Sequence, residues 1–183
     1  MINANDFRLF TMYVERVNPG DSILNFVNVH HADFEKVAEP QVVWEFIISR
    51  QNGLIKQLAI DGNLEYQKEL ERIYGNMKDV YAHIQHEGLS VYDIMKNQAD
   101  ADYALFANKD EEKYMELKEA YFRMVGDLLS YSDYREAIDE LVVVRKNALQ
   151  PASYERCLMW LDRAIQLKAT PEEQMQGICY MGN

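Results

Sequence analysis

Apolar residues recur every three to four positions along most of this chain, and few residues interrupt the pattern. Only 4 prolines and 8 glycines occur among the 183 residues. The clearest apolar stripe ends before Gly88 and contains Leu70, Ile73, Tyr74, Met77, Val80, Tyr81 and Ile84. This spacing places side chains on one face of an α-helix, and short connections make neighbouring helices antiparallel. The sequence therefore predicts an all-α fold, a helical bundle or compact helical array of about seven or eight helices.

Several predicted helices begin at residues that commonly start a helix. Pro40 and Pro151 each occupy the position of a first-turn proline. Ser132 is predicted to cap a helix, because a serine oxygen can accept from the free amide groups of the first turn. A long helix is predicted from about Glu111 to Leu129. The segment 97–110 is compatible with either helix or loop.

Residues 42–60 fit two structures. Val42 to Ile48 is rich in β-branched and aromatic residues and is followed by Asn52-Gly53, which favours a hairpin turn. A helical stripe also passes through this region, and no nearby run alternates cleanly enough to supply a partner sheet. We therefore favour a helix, with a break at Gly53 as a variant. The alternative is an α+β fold with a small β-hairpin near residues 42–60.

The length and composition suit one globular domain. We expect a single helical domain over residues 1–183, with a separable N-terminal subregion 1–62 as a variant. No apolar run approaches the ~20 residues of a membrane-spanning helix, and no export signal is apparent. Cys157 and Cys179 form no CxxC pair, which argues against a disulfide framework and a structural zinc site. A cytoplasmic protein is predicted.

The net charge of −11 is concentrated in one part of the chain. Residues 91–140 carry 13 acidic and 6 basic side chains, whereas residues 141–183 carry 4 acidic and 5 basic ones. Nucleic acids and anionic membranes bind through lysine and arginine, so we expect neither as a direct partner. The acidic residues of the middle region are the predicted partner-binding residues: Asp100, Asp102, Asp110, Glu111, Glu112, Glu116 and Glu119.

The same carboxylates are compatible with two other roles, a magnesium site and an ordinary helix start. Close carboxylates from facing helices can hold Mg²⁺ for phosphate chemistry. The same residues suit an ordinary solvated helix start, where acids stabilise the positive end of the helix and pair with Lys113 and Lys118. We favour the helix start over the metal site.

Two groups of metal-ligand types occur nearer the N-terminus. Asp79, His83 and His86 share one face of a predicted helix, but that face lies opposite the apolar stripe and is expected to meet water. His30 and His31 precede Asp33 and Glu35. We expect His30 to be a partly buried histidine with one hydrogen bond. No ExxH pair occurs, which argues against a di-iron bundle, and no metal or cofactor is predicted.

Nucleophilic catalysis has little support in the sequence. There is no GxSxG motif and no glycine-rich phosphate loop, and neither cysteine lies near a histidine. Cys157 falls on an apolar stripe and is predicted to lie in the core. No catalytic residue can be assigned, and a non-enzymatic protein is favoured.

Twelve tyrosines and nine methionines are a large share for this length. Tyrosine offers rigid amphipathic area and methionine offers adaptable apolar surface, and both are useful in recognition. Together with the acidic middle region, they favour a binding protein whose protein partner has a basic surface. Inhibitors of nucleic-acid-handling proteins fit this description, including immunity proteins against nuclease toxins and phage-encoded anti-defence proteins. The alternatives are a small metal-dependent hydrolase that uses the histidine or carboxylate clusters and a helical subunit of a homomeric assembly.

Overall fold

The computed structural model describes residues 4–13, 22–77, 90–146 and 148–167. Nine α-helices lie in these ranges: α1 (Ala4–Tyr13), α2 (Ser22–Val29), α3 (His31–Phe34), α4 (Pro40–Ile60), α5 (Glu65–Met77), α6 (Val91–Asp102), α7 (Glu111–Val125), α8 (Tyr131–Arg145) and α9 (Pro151–Gln166). No strand occurs among the described residues, and the prediction of an all-α fold is confirmed. None of these helices is both long enough and apolar enough to cross a membrane.

Helix α4 resolves the uncertainty over residues 42–60. It continues without a break through Asn52-Gly53, so the helix that the sequence favoured is confirmed and the alternative β-hairpin is wrong. The helix buries apolar side chains on both sides of Gly53, including Ile47, Leu54 and Leu58. A hairpin would place alternate residues of this run in water, whereas the helix turns its apolar stripe toward the core. Pro40 occupies the first turn, as predicted.

The chain divides into two compact units, Met1–Ala99 and Asp100–Asn183, so the division falls within α6. The prediction of a single domain with a separable subregion 1–62 stays a prediction. In the first unit, α4 packs against α5 and against α2 and α3. Four of the eight buried residues in one of its core clusters are aromatic, and the rings of Phe7 and Phe34 lie 5.5 Å apart.

In the second unit, α9 packs against α8 and α7, and two tyrosines of α7 bond to α8. The Tyr114 hydroxyl donates to the carbonyl oxygen of Ala137 at 2.7 Å, near the start of α7. The Tyr121 hydroxyl donates to Oδ1 of Asp133 at 2.9 Å, two turns later. Because these partners run in the opposite direction along the chain, α7 and α8 are antiparallel. The core of this unit includes Tyr114, Met115, Phe122, Leu141 and Trp160.

The structure defines three helix boundaries that the sequence predicted differently or left open. Residues 97–110 are mostly helical, because α6 continues into a π-helical segment, Tyr103–Ala107. Helix α7 ends at Val125, where Gly126 takes a positive φ of 59°, and a 3-10 turn follows it. The capping residue of α8 is Ser130 rather than Ser132. Its hydroxyl donates to Oδ2 of Asp133 at 2.6 Å, and its amide donates to the same oxygen at 2.8 Å.

Candidate functional site

The seven acidic residues predicted to bind a partner occupy different environments. Asp102 and Glu111 are each only 3% exposed. Arg145 Nε lies 3.0 Å from Glu111 Oε2, and the backbone amide of Gln150 donates to Glu111 Oε1 at 3.1 Å. A carboxylate that is desolvated and bonded inside the protein cannot meet a partner's surface. Asp102 and Glu111 therefore do not belong to an exposed acidic surface.

Asp110 acts at the start of α7. Its Oδ1 accepts from the backbone amide of Lys113 at 3.0 Å, which satisfies one of the free amide groups of the first turn. Asp110 is itself exposed, and Asp100 is partly buried. The negative charge of Asp110 also stabilises the positive end of the helix. Asp110 thus has a structural role that does not depend on any partner.

The remaining three residues, Glu112, Glu116 and Glu119, form one outward surface, which we call the α7 acidic face. They occur at positions i, i+4 and i+7 of α7, a spacing that places them on one side of a helix. The side chains of Glu112 and Glu116 are 67% and 54% exposed, and that of Glu119 is 35% exposed.

Two cations contact the α7 acidic face. Arg156 on α9 lies between two of its carboxylates, with Nη1 3.2 Å from Glu112 Oε1 and Nη2 3.0 Å from Glu119 Oε1. Lys113 Nζ lies 2.9 Å from Glu116 Oε2. Three carboxylates against two cations leave the face negatively charged, but less strongly than the sequence alone suggests.

Lys118 was expected to pair with the acidic residues at the start of α7, and it has a different partner. It does not pair with the acids at the start of α7, because its Nζ lies 3.0 Å from Oε2 of Glu140 on α8. The same ammonium group stands 5.3 Å from the centre of the Tyr114 ring, and the Tyr114 hydroxyl oxygen lies 2.9 Å from Glu140 Oε2. Burial, followed by the charge of Glu140, raises the pKa of Tyr114 well above its ordinary value. This group is a buried structural network of the second unit.

A cleft of about 360 Å³ lies among α7, α8 and α9. Aromatic and cationic side chains line most of it: Phe122, Tyr134, Trp160, Arg123, Arg156 and Arg163. We call this the arginine cleft. The three aromatic residues are buried and pack together, with the Phe122 ring 4.3 Å from that of Tyr134 and 5.2 Å from that of Trp160. Helix packing therefore fixes the inner wall of the cleft.

The charge of the arginine cleft differs from that of the chain as a whole. Three guanidinium groups and one carboxylate, that of Glu119, line it. Arg156 is already engaged by Glu112 and Glu119, whereas Arg123 and Arg163 are exposed and form no ion pair within the described ranges. Guanidinium groups bind carboxylates and phosphates through paired hydrogen bonds. The arrangement is chemically suited to an anion.

The histidine cluster of the first unit has structural contacts. His31 Nδ1 donates to the carbonyl oxygen of Asn28 at 2.8 Å. His30 is 42% exposed, and its Nδ1 lies 3.8 Å from Asp33 Oδ2. Glu35 accepts from Trp44 Nε1 at 2.7 Å. A hydrogen bond from Lys36 lowers the pKa of Asp33. His30 and Asp33 lie near each other, whereas His31 and Glu35 are bonded to Asn28 and Trp44, so the four side chains are not directed at a common point.

The second predicted ligand group, Asp79, His83 and His86, lies outside the described residues. A hydrolase that uses this group stays a prediction. Within the described part of the chain, no three histidine, cysteine or carboxylate side chains come together in a way that could hold a metal ion.

Cys157 is a core residue, as predicted. It is 5% exposed, and burial raises the pKa of its thiol from 9.0 to about 11. The thiolate is the nucleophilic form of cysteine, so a raised pKa disfavours reaction at neutral pH. The environment of Cys157 is that of a structural thiol.

The sequence prediction missed the arginine cleft. Its residues come from three helices, and no local motif joins Arg123 to Arg163. One signal was present, because residues 141–183 have a small excess of basic side chains in an otherwise acidic chain. Compared with protein families, with curated proteins and with solved structures, the chain has no match.

Proposed function

We propose that this protein is a non-enzymatic binding protein that engages a basic surface of a protein partner through the α7 acidic face. The supporting observation is the placement of Glu112, Glu116 and Glu119 on one exposed side of one helix. A rigid helix fixes the spacing of the three carboxylates, so a partner with matching cations meets a defined pattern of charge. Charge complementarity of this kind accelerates encounter and selects the partner.

Proteins that handle nucleic acids are the partners that best fit this chemistry. Such proteins present lysine and arginine to phosphate groups, and a row of carboxylates competes for those cations. The proposed role is therefore that of an inhibitor, an immunity protein or an anti-defence protein acting on a nucleic-acid-handling protein. The neutralising contacts of Arg156 and Lys113 imply that an incoming cation must share or replace them.

The test compares the wild-type chain with two double variants that change the net charge equally. Glu112→Lys with Glu116→Lys reverses two charges of the α7 acidic face. Glu155→Lys with Asp162→Lys reverses two exposed charges of α9 that do not belong to that face. Each chain is used to capture proteins from the native host at low salt, and captured proteins are identified by mass spectrometry. Association rates of each captured protein are then measured at two salt concentrations.

The proposal predicts a captured protein with a basic surface that binds the wild type and the α9 variant but is lost with the α7 variant. Its association rate should fall with salt, because exposed charges are screened over about 8–10 Å at physiological ionic strength. Equal capture by all three chains, or binding that does not depend on salt, would reject the proposal. Thermal unfolding of each variant serves as the folding control.

A further inference from the structure

The arginine cleft presents the opposite charge to the α7 acidic face and is not used by the proposed function. We propose that it is a second binding site, which takes an acidic segment of a protein partner. Arg123 and Arg163 hold a carboxylate of that segment, and an adjacent apolar side chain lies against Met159. Glu119 borders both sites, but Arg123 and Arg163 lie outside the α7 acidic face, and Glu112 and Glu116 do not line the cleft, so each proposal can fail without the other.

Two arginines at the ends of different helices give the cleft its positive charge. Arg123 lies in the last turn of α7 and Arg163 lies in the last turn of α9, and both line the same cleft. Neither forms an ion pair with a described residue, in a chain whose net charge is −11. Many carboxylates in this unit are bound by cations, as Glu111, Glu119 and Glu140 show. Two exposed guanidinium groups at one cleft are therefore complementary to an external anion.

One wall of the cleft is apolar. Met159 is 58% exposed and lies beside the buried rings of Phe122 and Trp160 in the lining of the cleft. Methionine is flexible and polarizable, and it adapts to apolar groups of different shapes. The buried rings that line the same cleft give the wall a fixed position. A ligand with an apolar group next to its anion gains contact area that a bare anion does not.

The shape and the charge of the cleft favour a peptide over a free small molecule or a nucleic-acid strand. The cleft is partly open to solvent, whereas sites for free small molecules enclose most of the ligand surface. A chain segment projecting from a partner does not need such enclosure. A nucleic-acid strand would bring a row of phosphates past Glu119, which lines the cleft, and past the rest of the α7 acidic face. A short segment with one or two carboxylates brings fewer negative charges and so meets less of this repulsion.

The experiment uses the full chain and a short capped peptide in which two glutamates are flanked by leucines. The matched peptide has glutamine in place of each glutamate. Calorimetric titration should give a Kd below about 1 mM for the glutamate peptide and at least about tenfold weaker binding for the glutamine peptide. Inorganic phosphate and a short oligothymidylate are titrated in parallel as competing anions.

Two protein variants locate the binding. Arg123→Gln with Arg163→Gln should weaken binding of the glutamate peptide by about tenfold or more. Lys36→Gln with Lys68→Gln removes the same charge from the first unit, where both side chains are 72% exposed, and should leave the Kd unchanged. Arg123→Lys with Arg163→Lys should retain only part of the affinity, because lysine keeps the charge and loses the paired geometry.

Several results would overturn the proposal. These are no detectable binding of the glutamate peptide, binding that is equal for the glutamine peptide, or binding that survives Arg123→Gln with Arg163→Gln. Tighter binding of the oligothymidylate than of the peptide would also reject it and would indicate a nucleic-acid site. Loss of binding in the Glu112→Lys, Glu116→Lys variant alone would point to the α7 acidic face instead.

Discussion

Glu111 and Arg145 form an ion pair in which Arg145 Nε lies 3.0 Å from Glu111 Oε2 and the glutamate side chain is only 3% exposed. The pair joins the first turn of α7 to the last turn of α8. The other oxygen of Glu111 accepts from the amide of Gln150, the residue that precedes α9. One carboxylate therefore connects three helices of the second unit.

We expect Glu111→Ala to destabilise the protein by about 3 kcal/mol, because it leaves Arg145 and the amide of Gln150 without their shared acceptor. The matched control is Glu112→Ala, the next residue, whose side chain is 67% exposed and whose loss should cost less than about 1 kcal/mol. Urea denaturation measures both free energies of unfolding. Equal effects of the two substitutions would contradict this account of Glu111.

Lys118 and Lys113 offer a second matched comparison on α7. Lys118→Ala should lower the free energy of unfolding by about 3 kcal/mol, because Glu140 would remain largely buried without its cation. Lys113→Ala removes an exposed partner of Glu116 and should leave stability unchanged within experimental error. Thermal and urea unfolding of both variants provide the measurement. A large effect at Lys113 and none at Lys118 would be inconsistent with the network.

Gly53 and Gly126 should respond oppositely to alanine. Gly53 lies inside α4 with nothing within 4 Å of an added Cβ, so Gly53→Ala should stabilise the protein by up to about 1 kcal/mol through helix propensity. Gly126 has a φ of 59° and ψ of −123°, a conformation that alanine disfavours, so Gly126→Ala should destabilise by about 1–3 kcal/mol. Destabilisation by Gly53→Ala would instead favour a turn at that position.

Cys157 should react slowly with a thiol reagent while the protein is folded. Its pKa of about 11 against an ordinary value of 9.0 leaves about a hundredfold less thiolate near pH 8, and burial further limits access. The assay uses a Cys179→Ser chain, so that Cys157 is the remaining thiol, with and without denaturant. Rapid labelling of the folded chain would show that the thiol is accessible.

The raised pKa of Cys157 also determines whether the free energy of unfolding rises or falls with pH. Below about pH 9, the thiol of Cys157 is protonated in both the folded and the unfolded chain. Between about pH 9 and about pH 11, the unfolded chain releases the proton first, so stability should fall as the pH rises through this range. Cys157→Ala in the same background should reduce this slope. A stability that rises with pH in this range would contradict the assignment.

The sequence predicted the helices well where local signals and apolar periodicity agreed. Pro40 and Pro151 each mark the first turn of a helix, as expected. At Asn52-Gly53 the sequence favoured a helix but left a β-hairpin as the alternative, because a turn-forming pair is a local preference. Burial of the α4 stripe outweighs that preference. The cap at Ser130 was assigned two residues late, since two serines flank Tyr131 and only their contacts distinguish them.

The candidate sites depended more heavily on tertiary contacts. Seven neighbouring acids looked alike in sequence, yet Glu111 lies buried against Arg145, whereas Glu112 faces solvent. Helical periodicity indicates that adjacent residues point in different directions, but not which direction meets a cation from another helix. The sequence did not predict the arginine cleft, because its residues are distant along the chain.

What the sequence determined by itself was the helical character of the chain and the acidic excess of residues 91–140. Both follow from local spacing and composition, which need no knowledge of long-range contacts. Only the tertiary structure decided which charges are internal, which form the α7 acidic face, and where Arg123 and Arg163 come to one cleft. The physical reason is that desolvation and ion pairing depend on groups brought together from separate helices, and sequence order does not specify those neighbours.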